Sequence, residues 1–153
     1  MSDSLEYVTA SHEKKPSEIY DKLWIYQDAP ESCENRGDTL GKWLIFKKTL
    51  KIDETWEEVR KLVESGELGA TAAKVSTMKD NPNASNKRMK VICVYTTKED
   101  IDDIGLKLIQ VIKHTIKYKT DEATLAGKYS WSNTGKPTCR TLEWNDGNPV
   151  FTN

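Results

Sequence analysis

Short apolar runs alternate with polar stretches along this chain, and two helical stripes interrupt them. Leu23-Trp24-Ile25-Tyr26 is compact and aromatic, as a short strand is, and Lys42-Trp43-Leu44-Ile45-Phe46-Lys47 reads as a second strand. Residues 27–41 between them hold Pro30, Asn35, Gly37, Asp38 and Gly41, which is loop chemistry. A loop of that length points to a function or to disorder. A helix is expected over 53–65. Asp53 can cap it, Glu54, Glu57 and Glu58 complement its dipole, and Trp56, Val59, Leu62 and Val63 form one stripe. Gly66 is its natural left-handed stop.

Residues 72–77 follow as a strand, 79–88 as a polar loop with Asn81-Pro82-Asn83, and 89–96 as another strand. The centre of that last strand, Val91-Ile92-Cys93-Val94-Tyr95, is continuously apolar, which places it where both faces are covered. Thr97 and Asp100 have capping-box spacing before a helix that runs to about His114, its stripe being Ile101, Ile104, Leu108, Val111 and Ile112. Residues 115–119 read as a strand, 127–131 and 138–144 as two more, with a turn over 132–137. The order β, β, α, β, β, α, β, β, β predicts an α+β domain whose helices cover one face of a largely antiparallel sheet. Residues 1–20 are expected to be a flexible tail, 21–144 the single domain, and 145–153 an irregular tail.

Composition narrows the function. The chain has 153 residues, enough for one domain with its own core. Its net charge of −1 argues against a dedicated non-specific nucleic-acid binder. The halves differ: residues 1–66 carry 14 acids and 10 bases, residues 67–153 carry 10 acids and 13 bases. That −4/+3 split permits a local basic pocket. Cys33, Cys93 and Cys139 form no Cys-x-x-Cys pair and lie far from His12 and His114, so neither a metal nor a cofactor is expected. No apolar run approaches membrane-spanning length, and the acidic start lacks the apolar region of a signal peptide. Asn83-Ala84-Ser85 is then a chance glycosylation tripeptide. The expected compartment is the cytoplasm or the nucleus.

Catalytic motifs fail on inspection. Gly135-Lys136 lacks both the glycine and the hydroxyl residue that a phosphate loop needs, because Ser130 and Pro137 stand there. Glu57-Glu58 and Asp102-Asp103 are adjacent on helices and cannot face each other. His114 suits a helix C-terminus, and Cys93 suits a core position. No catalytic constellation is found, and the chain is not expected to be an enzyme. The five tryptophans divide by context. Trp24 and Trp56 are expected in the core. Trp43, Trp131 and Trp144 stand at strand–loop junctions and fit either the edge of the core or a surface on which a base stacks.

Several blocks together carry a family resemblance: Gly41-Lys42-Trp43-Leu44-Ile45-Phe46, Asp53-Glu54-Thr55-Trp56, Gly66-Glu67-Leu68-Gly69 leading to Ala73-Lys74-Val75-Ser76-Thr77, Val91-Ile92-Cys93-Val94-Tyr95-Thr96, and Lys117-Tyr118-Lys119-Thr120-Asp121 with Gly127-Lys128-Tyr129. Over about residues 40–130 the chain resembles the Bles family, named after a protein expressed in basophilic leukaemia. The resemblance implies a fold like that of the cap-binding translation initiation factor of the 4E type, a curved antiparallel sheet backed by helices. In those factors two tryptophans sandwich a methylated guanine, a glutamate reads its edge and basic residues hold its phosphates. Trp43 is similar in position to the first sandwich tryptophan. The second has no counterpart, since residues 78–90 contain no Trp.

The expected function is a non-catalytic binding module for a nucleotide or nucleotide-like phosphorylated ligand. Trp43 and Trp131 would stack, and Lys74, Lys119 and Arg140 would meet phosphate. A nucleotide or an RNA 5′ end is the expected partner. The alternative is a protein–protein interaction module that uses the 27–41 loop or the 53–65 helix.

Overall fold

The computed structural model describes residues 7–31, 39–79, 88–120 and 140–152. Eight strands form one curved sheet: β1 (Tyr7–Thr9), β2 (Trp24–Asp28), β3 (Thr39–Lys48), β4 (Ala72–Ser76), β5 (Met89–Thr97), β6 (Ile116–Thr120), β7 (Arg140–Asn145) and β8 (Asn148–Thr152). Their order is β1-β2-β4-β5-β3-β6-β7-β8. Every pairing is antiparallel except β1 with β2. Two helices, α1 (Thr49–Ser65) and α2 (Ile101–Ile112), pack on one face. The architecture is the α+β sheet-and-helix layer that the element order predicts.

Period-two alternation sets the two faces of the sheet. Ile25, Trp43, Ile45, Val75, Ile92, Val94, Tyr118 and Leu142 point to the helices, where Trp56, Val59, Val63, Ile104, Leu108 and Ile109 complete the core. In β5, Ile92, Cys93 and Val94 are all buried, as a continuous apolar run requires of a strand fourth in an order of eight. Trp56 is buried too, and its Nε1 has no acceptor among the described residues.

Helix α1 starts four residues before Asp53. The amide and hydroxyl of Thr49 both donate to the Arg88 carbonyl at 3.1 Å, and Lys48 occupies the N-cap without a side-chain bond. Asp53 instead anchors the chain that precedes β2, accepting from the Ser17 amide at 3.0 Å and from the Ser17 hydroxyl. Gly66 ends the helix at φ 83° as expected. Arg60, buried on α1, grips Glu57 with two bonds of 2.9 Å and reaches Gln27 of β2 at 3.4 Å. Partial burial pushes the Glu57 carboxyl up, but its bonds from Arg60 and His12 outweigh that and hold it below its ordinary value.

Both expected tails join the sheet. Tyr7–Thr9 pairs with β2, and residues 16–18 form a 3-10 turn against α1. At the other end, Asp146 and Gly147 have φ of 51° and 83°, which is two-residue hairpin geometry, and β8 returns along β7. The ordered unit thus extends beyond the expected limits of 21 and 144. The 27–41 loop shrinks from both sides because β2 runs to Asp28 and β3 begins at Thr39. The expected strand over 127–131 and turn over 132–137 lie outside the described residues. So does most of the polar loop over 79–88.

Two glycines fix close approaches. A Cβ on Gly41 would lie 2.4 Å from the Lys119 carbonyl, so β3 and β6 meet at this register only without a side chain there. A Cβ on Gly105 of α2 would lie 2.5 Å from the Trp43 ring.

Candidate anion-binding face

The expected site residues part company. Trp43 is fully buried, at 0% exposure. Its Nε1–H donates to the Ile101 carbonyl at 2.8 Å, the Tyr118 ring meets it edge-on at 5.3 Å, and Gly105 lies against it. No face of the indole is left for a base. The expectation that it stacks on a ligand is corrected, because strand parity turns position 43 toward the helices. Arg140 is also on that side: its Nε lies 3.4 Å from Asp102 of α2, and its guanidinium sits over Phe151 at 4.2 Å. It ties β7 to α2 and does not join the lysines. Trp131 lies outside the described residues.

Lys74 and Lys119 share a face of the sheet, the one where no described helix packs, with β5 and β3 between their strands. Two rows of residues cross the sheet there. Tyr26, Lys74, Cys93, Leu44, Lys117 and Thr141 are paired in succession across β2, β4, β5, β3, β6 and β7. The next row is Asp28, Ala72, Tyr95, Lys42 and Lys119. Lys42 and Lys119 stand directly opposite each other, an arrangement that costs stability for like charges. All three lysines reach Cys93 electrostatically. Burial pushes its thiol up, and Lys74, Lys42 and Lys119 draw it part of the way back. Lys119, at 6% exposure, is nearly shielded from water, whereas Lys42 and Lys74 are half-buried and Lys117 is exposed.

Aromatic rings stand beside these cations. The Lys74 ammonium lies 3.8 Å from the centre of the Trp24 ring, and that of Lys42 lies 5.8 Å from Tyr95. Trp24 is half-exposed on this face rather than in the core, a second correction, because its neighbour Ile25 takes the inward position. Tyr7 and Tyr26 pack beside it with ring centres 5.4 Å apart. Sequence reasoning missed Lys42, Trp24, Tyr26 and Tyr95. Strand parity could have grouped them, but only with the strand order known.

Charge is divided between the layers. Among the described strand residues, this face carries Lys42, Lys48, Lys74, Lys117 and Lys119 against Asp28 and Glu143. Helix α1 carries Asp53, Glu54, Glu57, Glu58 and Glu64 against Lys51, Arg60 and Lys61, and α2 adds Asp102 and Asp103 against Lys107. Among the described strands and helices, the excess of bases is on this sheet face and the excess of acids is on the two helices. Among the described residues no group of three or more His, Cys, Asp or Glu side chains could hold a metal ion. No described helix is long and apolar enough to cross a membrane.

These features define a class: an α+β protein with helices on one side of its sheet and a basic, aromatic surface on the other. Residues 13–125 match the family model described as basophilic leukemia-expressed protein Bles03, and the chain belongs to that family. No curated protein matches the chain.

Proposed function

We propose that this protein is a non-catalytic binding module for a nucleotide or nucleotide-like phosphorylated ligand, held on the helix-free face of the sheet. The observation that supports this best is the gathering of Lys42, Lys74 and Lys119 around Cys93, with Trp24 and Tyr95 beside them. Cations over a sheet attract phosphate, and the partly exposed rings of Trp24 and Tyr95 offer stacking surface to a base. The sheet serves as the platform, and a sandwich through Trp43 is set aside because that ring is inside the core. The cytoplasm or the nucleus is the compartment we assign to this binding.

Titration with GTP, a methylated-guanine cap analogue and inorganic phosphate tests it. Trp24 is the reporter, since it is half-exposed and in contact with Lys74. Saturable quenching by the nucleotides, lost in a Lys42→Ala/Lys74→Ala variant that melts like the wild type, is the expected result. Absence of binding to nucleotides of any length overturns the proposal.

One observation favours protein docking as a second reading. Leu50 in the first turn of α1 is 92% exposed, and Phe46 on the preceding strand is 45% exposed. A protein partner that is lost with Leu50→Glu supports that reading.

A further inference from the structure

We propose that Ser17 is a phosphorylation site for a basophilic serine kinase, and that its modification unseats residues 16–18 from α1. Ser17 lies in the 3-10 turn that packs against that helix. Lys14 and Lys15 stand three and two positions before it, and both are exposed. No other Ser or Thr of the chain has a basic residue at both of those positions. Two cations ahead of a hydroxyl are the charge pattern that a kinase with an acidic substrate groove selects. The turn is held by few bonds. The Glu18 amide donates to the Lys15 carbonyl at 2.9 Å and the Ile19 amide to the Pro16 carbonyl at 3.5 Å. The other two run from the Ser17 amide and hydroxyl to Asp53. A short surface segment tied this way opens locally, and opening presents residues 14–18 to a kinase cleft.

The chemistry of the Asp53 contact turns modification into movement. In the transfer the Ser17 Oγ attacks the γ-phosphorus of ATP, the bond to ADP breaks, and the hydroxyl proton passes to the kinase. The donor that held Asp53 is then gone, and a group of about −1.5 to −2 charge at neutral pH stands in its place. The cations of α1 do not relieve that repulsion. Lys51 is two positions from Asp53 and does not share its side of the helix. Arg60 and Lys61 pair with Glu57. Lys14 and Lys15 belong to the same segment as the phosphate and leave with it. The ends of the segment stay fixed: β1 remains paired with β2, and the Ile19 carbonyl accepts from the Met78 amide at 2.9 Å. Pro16, the buried residue of the turn, is uncovered by the move.

The test uses the intact native chain with ATP and the purified catalytic subunit of cyclic-AMP-dependent protein kinase. Peptide mass spectrometry should place the phosphate on Ser17, and Lys14→Ala/Lys15→Ala should slow the transfer at least about tenfold. Hydrogen–deuterium exchange reads the consequence. The amides of Ser17, Glu18 and Ile19 should exchange at least about tenfold faster after phosphorylation, while those in the middle of α1 keep their rate. Asp53→Asn separates charge from bulk: without the carboxylate, phosphorylation should change those rates by less than about threefold. Phosphate that never reaches Ser17, or reaches it only after heat unfolding, overturns the site. Ser17 phosphorylated in the native chain with unchanged exchange overturns the release from α1. Equal acceleration in Asp53→Asn overturns charge repulsion as its cause.

Discussion

Trp43 separates a core residue from a ligand-stacking one, and Trp43→Phe exposes the difference. The side chain is fully buried, its Nε1–H donates to the Ile101 carbonyl, and it touches Tyr118 and Gly105. Phenylalanine removes that hydrogen bond, worth about 1 kcal/mol net. Besides that nitrogen it removes two ring carbons, at about 0.8 kcal/mol each. Incomplete collapse around the smaller ring adds to the loss. The expected destabilisation is about 3 kcal/mol. For a domain of this size 1 kcal/mol moves Tm by about 2–4 °C, so the midpoint should fall by roughly 6–12 °C. Far-ultraviolet circular dichroism is the suitable assay, because the change removes a fluorophore. Nucleotide affinity well below the new midpoint should match the wild type within about twofold. A midpoint shifted by under about 2 °C together with a large loss of affinity would refute this reasoning and return Trp43 to a binding role.

Other expectations follow from the same contacts. Gly105→Ala approaches that packing from the helix side: the alanine gains about 1 kcal/mol of helix propensity, yet its Cβ meets the Trp43 ring at 2.5 Å. Overpacking of about 1–3 kcal/mol should win, giving net loss in urea unfolding, and a stabilised variant would show that the ring yields freely. Asp53→Ala should loosen residues 16–18 from α1 and speed tryptic cleavage after Lys14, since both Ser17 bonds end on Asp53; an unchanged cleavage rate counts against that anchor. Burial lowers the His114 pKa, with Lys47 acting the same way and the Thr115 carbonyl opposing. The folded state therefore favours the neutral ring: stability is full above about 6.5 and declines as pH falls from there through the folded value. His114→Gln should flatten the stability curve in that window, and an identical curve would contradict the shift. Glu57, held below its ordinary value, contributes stability above about 4.5 that is lost as pH falls further, so Glu57→Gln should differ from wild type at neutral pH and converge with it in acid.

Local chemistry is readable without the fold. The stripe on α1, the left-handed stop at Gly66 and the apolar run in β5 each depend on neighbours a few residues away. The last hairpin carries a local signal as well, Asp146-Gly147, but its flanking strands are only partly apolar, so the pattern around it reads as an irregular tail. The start of α1 escapes a local reading because its first amide is satisfied by Arg88, 39 positions away, and not by a neighbouring cap.

The candidate site lies beyond local reading. Parity along β3 dictates that Lys42 and Trp43 point to opposite faces, but which face meets the helices depends on the packing of α2 over Gly105. Lys74 and Lys119 become neighbours of Lys42 only because β4 and β5 insert between β2 and β3, with β6 on the far side. The −4/+3 split between halves is a property of the sequence. Which of those charges share a surface is a property of the tertiary structure, because long-range strand pairing brings Lys42 of the first half beside Lys119 of the second.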